Sequence, residues 1–152
     1  MHIPMINHRS SFGQPIIAPI LGLLLLFASF NAVHAVELRL AHDYYQIEIA
    51  TTGAQRRLGL MHRSHLGPRQ GMLLVYPQAG NHRIWMKNML IPLRVYWIDA
   101  SSVVIGIQRL EPCNAEPCPV YGVTGDSQYV LELGDFTHPI DVGDKIENIR
   151  GD

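Results

Sequence analysis

The sequence predicts a mostly β fold: an antiparallel sandwich or barrel-like domain with one short helical insertion, after an N-terminal signal segment. Apolar and polar residues alternate at period two through most of the chain, which is typical of strands with one buried face. Turn-forming residues separate these runs at intervals of about ten residues, as in sandwiches and barrels. Of the 152 residues, 47% are apolar, so the chain can form the core of one domain.

Residues 1–35 have the features of a secretory signal peptide. Arg9 is their only Lys, Arg, Asp or Glu residue, residues 16–30 form an apolar run, and Ala35 is a small residue that suits the cleavage site. The run contains Pro19 and is shorter than the ~20 residues that a bilayer span requires, so a retained anchor is only an alternative. We expect cleavage after Ala35, a periplasmic or secreted protein, and no stable membrane span afterwards.

The strands follow from the spacing of the apolar residues. Residues 36–40 and 45–49 alternate apolar and polar side chains, which predicts half-buried strands. Residues 71–76 are an uninterrupted apolar run, typical of a strand that is buried on both faces. Further strands are predicted at residues 93–97, 103–107, 129–133 and 145–149, with a hairpin turn at residues 99–102.

One short helix is predicted between the second and third strands. Thr52 can cap it and residues 55–61 can form it, although Gly53 and Gly59 lower the helix propensity. No internal repeat or linker interrupts residues 36–152, which predicts a single β-rich domain.

Cys113 and Cys118 are the only cysteines, and we expect them to form a disulfide. An exported chain meets an oxidising compartment, where two cysteines five positions apart pair with each other. Closing so short a loop stabilises the fold by about 2 kcal/mol at most. A redox pair or half of a zinc site is the alternative, but the spacing suits neither. No metal or other cofactor is predicted.

Residues 83–88 form the segment that we expect to bind a ligand. In an extended conformation, Arg83, Trp85 and Lys87 share one face, and an aromatic ring beside two cations suits a sugar ring or a carboxylate. Asp99 can close such a pocket as a hydrogen-bond acceptor. The candidate ligand-binding residues are Arg83, Trp85, Lys87, Asn88 and Asp99.

A purely structural role is the alternative for this segment. Trp85 would then pack into the core, Lys87 would extend to solvent, and Asn88 would cap the turn before Pro92.

Histidine and methionine side chains raise a separate hypothesis of a copper site. They are the ligand types that hold copper in exported proteins, but surface histidines and core methionines are the preferred interpretation. The residues concerned are His42, His62, His65, His82, Met61, Met72, Met86 and Met89.

Sequence motifs for known enzyme chemistry are absent. There is no Gly-x-Ser-x-Gly elbow, phosphate-binding glycine loop or His-Glu-x-x-His helix. Two carboxylates facing one cleft would make a hydrolase of envelope carbohydrate, with Glu111, Glu132 and Asp99 as candidates. A formal net charge of -1 disfavours nucleic acid as a partner.

An unusual string, Trp-Met-Lys-Asn at 85–88 followed by Ile-Pro-Leu at 91–93, resembles the domain of unknown function 192 family. Residues 57–61 and 71–73 stand upstream in the family's order, and the resemblance runs from about residue 40 to residue 149. It implies a compact, mostly β fold that is often exported, and it supplies no established activity.

Three residues depart from the family pattern. Met89 stands where the family usually carries Thr, Arg94 where it usually carries Asp, and Gln70 where an acid is common. A site that used the acid at position 94 would have its charge reversed in this chain.

The sequence therefore predicts an exported domain that binds a small polar ligand, of carbohydrate or carboxylate type, without transforming it. The envelope carbohydrate hydrolase and a protein-interaction module of the envelope are the two alternatives. A pocket lined by the candidate residues supports ligand binding, two carboxylates in one cleft support the hydrolase, and a flat exposed apolar patch supports the module. The oligomeric state is not predicted.

Cleavage after Ala35 predicts the mass of the exported protein. Intact-mass measurement of protein recovered from the envelope fraction should give the mass of residues 36–152, because the signal peptidase removes residues 1–35. A soluble cytosolic protein that retains residues 1–35 would contradict both the export and the oxidising environment assumed for the cysteines.

Overall fold

The computed structural model of the chain describes residues 34–136 and 138–149. The predicted signal segment lies outside the described residues, apart from His34 and Ala35. In chain order the elements are β1 (Ala35–Leu40), β2 (Asp43–Ala50), α1 (Gly53–Leu58), β3 (Gln70–Gly80), β4 (Ile84–Trp85), β5 (Leu93–Ile98), β6 (Val104–Leu110), β7 (Val120–Tyr121) and β8 (Ser127–Gly134).

The main sheet has six strands in the order β1-β2-β3-β8-β5-β6, and β4 and β7 form a second sheet. The predicted mostly β class is confirmed, and the main sheet is open, with β1 and β6 at its edges. Its neighbouring strands are antiparallel except for β2 and β3, which run parallel. A parallel pair needs a long crossover, and residues 51–69, which include α1, supply it.

Strand β8 lies between β3 and β5, and its residues from Tyr129 to Gly134 are buried. Tyr129, Leu131 and Leu133 point into one hydrophobic cluster, together with Ile140, Ile146 and other apolar residues. Val130 points into the cluster on the opposite face. Because side chains alternate along a strand, Glu132 shares the face of Val130.

The second face is covered by residues that follow α1 and by the segment around β4. Leu60 and Leu66 come from the first, and Met86 and Met89 from the second. They pack on buried side chains of the sheet that include Trp97. The interpretation of the methionines as core residues is confirmed for Met72, Met86 and Met89, whereas Met61 is half-buried.

Helix α1 begins as the sequence predicts. Thr52 forms a capping box with Gln55: the Gln55 backbone N–H donates to Thr52 Oγ1 (3.2 Å), and the Thr52 backbone N–H donates to Gln55 Oε1 (3.0 Å). The helix ends at Leu58, before the predicted limit at Met61. Within residues 34–136 and 138–149, no helix is long and apolar enough to cross a membrane.

The predicted strand at residues 145–149 is wrong. Lys145 forms only an isolated bridge with Val103, and the chain then turns. Ile146 and Ile149 are both buried against the first face, so their spacing is that of a turn and not of a strand.

Gly71 lets β3 approach β8 closely, which makes its replacement costly. A Cβ at position 71 would lie 2.4 Å from the Glu132 backbone oxygen and 2.5 Å from Leu133 Cδ2. Gly71→Ala should therefore lower the free energy of unfolding by about 1–3 kcal/mol, as overpacking does. Urea unfolding of the purified domain measures it.

Gly53→Ala is the matched control. A Cβ at position 53 meets nothing within 4 Å, and Gly53 begins a helix in which Ala is favoured, so we expect a change of less than about 1 kcal/mol. Equal effects of the two substitutions would contradict the close packing of β3 on β8.

Candidate functional site

A cleft of about 240 Å³ opens on the second face of the sheet, where α1 and β4 approach β3 and β8. We call it the Glu132 cleft. Its lining combines apolar side chains, two aromatic rings, three arginines and one carboxyl group. The lining residues are Gly53, Arg56, Arg57, Leu58, Gly59, Leu60, Met61, Leu74, Tyr76, Arg83, Ile84, Trp85, Met89 and Glu132.

Glu132 lies at the inner end of the cleft, in the central strand. It pairs across the sheet with Met72 of β3 and Val95 of β5, and only 6% of its surface is exposed. Its Oε2 atom is buried and has no hydrogen-bond partner among the described residues. Burial raises the pKa of Glu132 to about 7, and the charge of Arg63 opposes this shift.

Gly59 allows the end of α1 to close over the carboxyl group. Its φ of +50° is a backbone conformation that residues with a side chain rarely adopt. A Cβ at position 59 would also lie 3.5 Å from Glu132 Oε2. The glycine therefore ends the helix and brings its backbone next to Glu132.

Arg56 and Tyr76 form one wall of the cleft. Arg56 Nη1 donates a hydrogen bond to the backbone oxygen of Val75 (2.8 Å), and its guanidinium lies 4.9 Å from the centre of the Tyr76 ring. Tyr76 stacks on His82 with ring centres 3.6 Å apart. This wall ties α1 to β3, and burial raises the pKa of Tyr76.

Arg57 and Arg83 lie at the exposed mouth of the cleft. Within the described residues, neither guanidinium has an ion pair or a hydrogen bond to another side chain or to the backbone. Trp85 lies beside them, with 42% of its surface exposed. Two free cations and an aromatic ring therefore face solvent at one site.

Contacts with the main sheet and with β7 hold Arg83 and Trp85 in place. The Trp97 indole N–H donates to the backbone oxygen of His82 (2.9 Å), next to Arg83. β4 pairs with β7 through Trp85 and Val120. Ile84 is buried between the exposed Arg83 and Trp85, so the predicted alternation is confirmed for residues 83–86. Asn88, which was predicted on the face of Ile84 and Met86, is instead exposed in a turn.

Lys87 and Asn88 lie outside the Glu132 cleft, in a depression that shares Trp85 with it. Lys87 Nζ lies 2.7 Å from Glu116 Oε1 and 5.5 Å from the centre of the Trp85 ring. Glu116 belongs to the loop between Cys113 and Cys118. These cysteines form the predicted disulfide, with Cα atoms 5.7 Å apart.

Asp99 is remote from this site. Its carboxylate accepts hydrogen bonds from the backbone N–H groups of Ser101 (2.8 Å) and Val103 (2.9 Å), and so caps the turn between β5 and β6. The structure thus brings Arg83 and Trp85 together at the cleft, places Lys87 and Asn88 beside it, and places Asp99 elsewhere.

The carboxylates proposed for a hydrolase do not share a cleft. Glu132 lines the Glu132 cleft, Glu111 forms an ion pair with Arg109, and Asp99 caps its turn. Within the part of the chain that the structure describes, no group of three or more His, Cys, Asp or Glu side chains is placed to hold a metal ion.

Comparison with known proteins identifies the family. The model of domain of unknown function 192 (DUF192, Uncharacterized ACR) matches residues 36–148. The chain belongs to the DUF192 family. No curated protein matches it.

Two solved structures share the fold of this DUF192 chain. A protein from Sinorhizobium meliloti 1021, described as a candidate transcription regulator, is 27% identical with a TM-score of 0.64, and the match covers 76% of this chain and 93% of that one. A protein of unknown function from Novosphingobium aromaticivorans DSM 12444 is 24% identical with a TM-score of 0.60, and the match covers 93% and 99% of the two chains.

The structure shows the surroundings of two residues that depart from the DUF192 pattern, Met89 and Arg94. Met89 is buried and lines the Glu132 cleft, where it adds apolar surface. Arg94 lies beside Asp135, with Nε and Oδ1 3.6 Å apart, and Asp135 also pairs with Arg109. Arg94 therefore belongs to a charged group outside the cleft.

The raised pKa of Glu132 predicts a stability that falls as pH rises. Below a pH of about 4 the carboxyl is protonated in both the folded and the unfolded chain, so its ionisation does not lower the free energy of unfolding. Its pKa is about 7 in the folded chain and 4.5 without the protein environment, so only the unfolded chain releases the proton between these values. The resulting loss in the free energy of unfolding reaches about 3 kcal/mol above pH ~7.

Glu132→Gln removes this titration. Relative to the wild type, its free energy of unfolding should increase by about 3 kcal/mol between pH ~4 and pH ~9, as measured by urea unfolding. Glu111→Gln, at an exposed carboxylate outside the cleft, is the control for the loss of one negative charge. A pH-independent difference for Glu132→Gln would contradict the burial of a titrating carboxyl.

Proposed function

We propose that this domain binds a small ligand that carries a carboxylate or another anionic group, and that the Glu132 cleft is the binding site. The observation that carries this proposal is a pair of guanidinium groups, Arg57 and Arg83, that have no partner among the described residues and lie beside Trp85 at the cleft mouth. Arginine recognises planar anions through parallel hydrogen bonds, which makes it suited to this task.

Arg63 and Arg69 differ from these two arginines. Arg63 pairs with Glu48, with 2.7 Å between Nη2 and Oε2, and Arg69 pairs with Asp43 at 2.8 Å. Their charges are thus balanced within the fold. Arg57 and Arg83 keep their donors free at a concave surface, where an anionic ligand is the natural partner.

The rest of the lining favours a ligand with an apolar body. Leu60, Ile84 and Met89 are buried side chains along the cleft, and Trp85 offers an exposed ring face. The cleft is smaller than the ~300–1,000 Å³ of sites for drug-sized molecules, so it suits a small molecule. Cations and apolar surface together favour a carboxylate over a neutral sugar.

We further propose that binding occurs in the periplasm or outside the cell, and without catalysis. The features of residues 1–35 support export, and the disulfide between Cys113 and Cys118 is the kind of bond that persists in an oxidising compartment. The single carboxyl group in the cleft lining supports binding over hydrolysis by paired carboxylates.

Hexanoate tests the proposal, because it combines a carboxylate with a small apolar body. Calorimetry should detect its binding, and the fluorescence of Trp85 should change because this ring lies at the cleft mouth. Arg83→Ala and Arg57→Ala should each weaken binding about tenfold, since each removes a charge-assisted hydrogen bond.

Three controls accompany this measurement. Arg39→Ala removes an exposed arginine of β1 outside the cleft and should leave affinity nearly unchanged. Trp85→Phe should abolish the fluorescence change, because the remaining Trp97 is fully buried. Hexan-1-ol lacks the charge and should bind more weakly than hexanoate. If neither Arg57→Ala nor Arg83→Ala changes the affinity for hexanoate, the proposal is overturned.

A further inference from the structure

The two ends of the Glu132 cleft carry opposite charges when Glu132 is ionised. Arg57 and Arg83 are exposed at the mouth, and Glu132 is buried at the inner end. Apolar side chains that include Leu60 and Met89 lie along the same cleft. An anion at the mouth explains the arginines but leaves the buried carboxyl without a role.

Glu132 lacks the partners that buried carboxyl groups usually have. Its Oε2 atom is inaccessible to solvent and receives no hydrogen bond from any described residue. Burying such a group without a donor is costly, and a ligand that supplies N–H donors and a positive charge would offset that cost. A ligand with an apolar end at this position would supply no donor and would leave the desolvation cost of the carboxyl group unchanged.

We propose that the ligand is an amino carboxylate whose ammonium group binds Glu132 and whose carboxylate binds Arg57 and Arg83, with an apolar stretch between them. This inference rests on the proposed function and names the class of ligand for the same cleft. The order of the lining, which is buried acid, apolar wall and exposed cations, requires the two charges to be separated. An α-amino acid, with both charges on one carbon, fits this order less well than an ω-amino acid.

Several charged and titratable groups lie around the carboxyl group on neighbouring elements, and among them Arg63 acts on its pKa. Those on α1 and in the crossover after it are cationic, β3 contributes a tyrosine, and the segment before β4 contributes another cation. The groups are Arg56, Arg57, Arg63, Tyr76 and Arg83. Arg63 donates from Nη1 and Nη2 to Glu48, and no hydrogen bond joins it to Glu132 Oε2 among the described residues.

Four compounds test the inference. These are hexanoate, 6-aminohexanoate, its isomer 2-aminohexanoate, and hexylamine. At a pH of about 8, the full mature protein should bind 6-aminohexanoate at least about tenfold more tightly than hexanoate, because a buried charge-assisted hydrogen bond is added. The 2-amino isomer should bind no more tightly than hexanoate, and hexylamine should bind weakly because it lacks the carboxylate.

The pH dependence gives an independent readout on the wild-type protein. An ammonium favours the ionised carboxylate, so affinity for 6-aminohexanoate should rise between pH ~6 and pH ~8. Hexanoate brings no cation to Glu132, so its affinity should fall over the same range. Opposite slopes for these two ligands are the expected signature of an ammonium at the inner end.

Glu132→Gln keeps the shape of the side chain and removes its charge. We expect the preference for 6-aminohexanoate over hexanoate to drop from at least tenfold to about one, while hexanoate still binds. Glu111→Gln, at an exposed carboxylate outside the cleft, should keep the wild-type preference. Circular dichroism and urea unfolding confirm that both variants are folded.

The outcomes separate this inference from the proposed function. Equal affinities of the wild type for hexanoate and 6-aminohexanoate, or parallel pH slopes, overturn the amino carboxylate and leave anion binding intact. Equal affinities for the two amino isomers overturn the separation of the charges. If neither hexanoate nor 6-aminohexanoate binds, the proposed function and this inference fall together.

Discussion

The burial of Glu132 in the central strand is the constraint around which the second face of the domain is arranged. Val130 and Glu132 of β8 point to this face and are buried, so other segments must cover them. Gly59 brings the end of α1 next to the carboxyl group, and Met89 adds apolar surface beside it. Burying a carboxyl group without a partner is costly, so its place on this face needs a reason beyond packing. The Glu132 cleft lies where the carboxyl group meets the end of α1.

Local patterns predicted most strands and failed where contacts between distant segments decide the structure. The alternation at residues 36–40 and 45–49 is a direct consequence of one buried face, and these strands are present. The parallel pairing of β2 and β3 depends on the crossover through α1, which no period in the sequence reports. At residues 145–149 the two isoleucines are three positions apart and both are buried where the chain turns, so this apolar segment does not form a strand.

The site was predicted in part, for a similar reason. The alternation in residues 83–87 placed Arg83 and Trp85 on an exposed face, and the structure confirms that placement. Glu132 was named only as one carboxyl among three, because its burial depends on the neighbours of β8 in the sheet. In the sequence Asp99 was as good a candidate as Glu132. In the structure its carboxylate caps the turn between β5 and β6. A single acid within an apolar run, Tyr-Val-Leu-Glu-Leu at residues 129–133, was the local signal that could have singled it out.

The energetic cost of Glu132 argues for a role in function and not in stability. Val130, two residues earlier on the same strand face, is fully buried and packs well, so an aliphatic residue at 132 would satisfy the fold. The carboxyl instead costs about 3 kcal/mol near neutral pH, which is a large part of the ~5–15 kcal/mol that keeps a domain folded. Groups that lower stability and have strongly shifted pKa values concentrate at binding and catalytic sites. Glu132 has both properties, it lines a cleft, and Arg57 and Arg83, which have no partner among the described residues, lie at the mouth of that cleft. The proposed recognition of a ligand accounts for these features together.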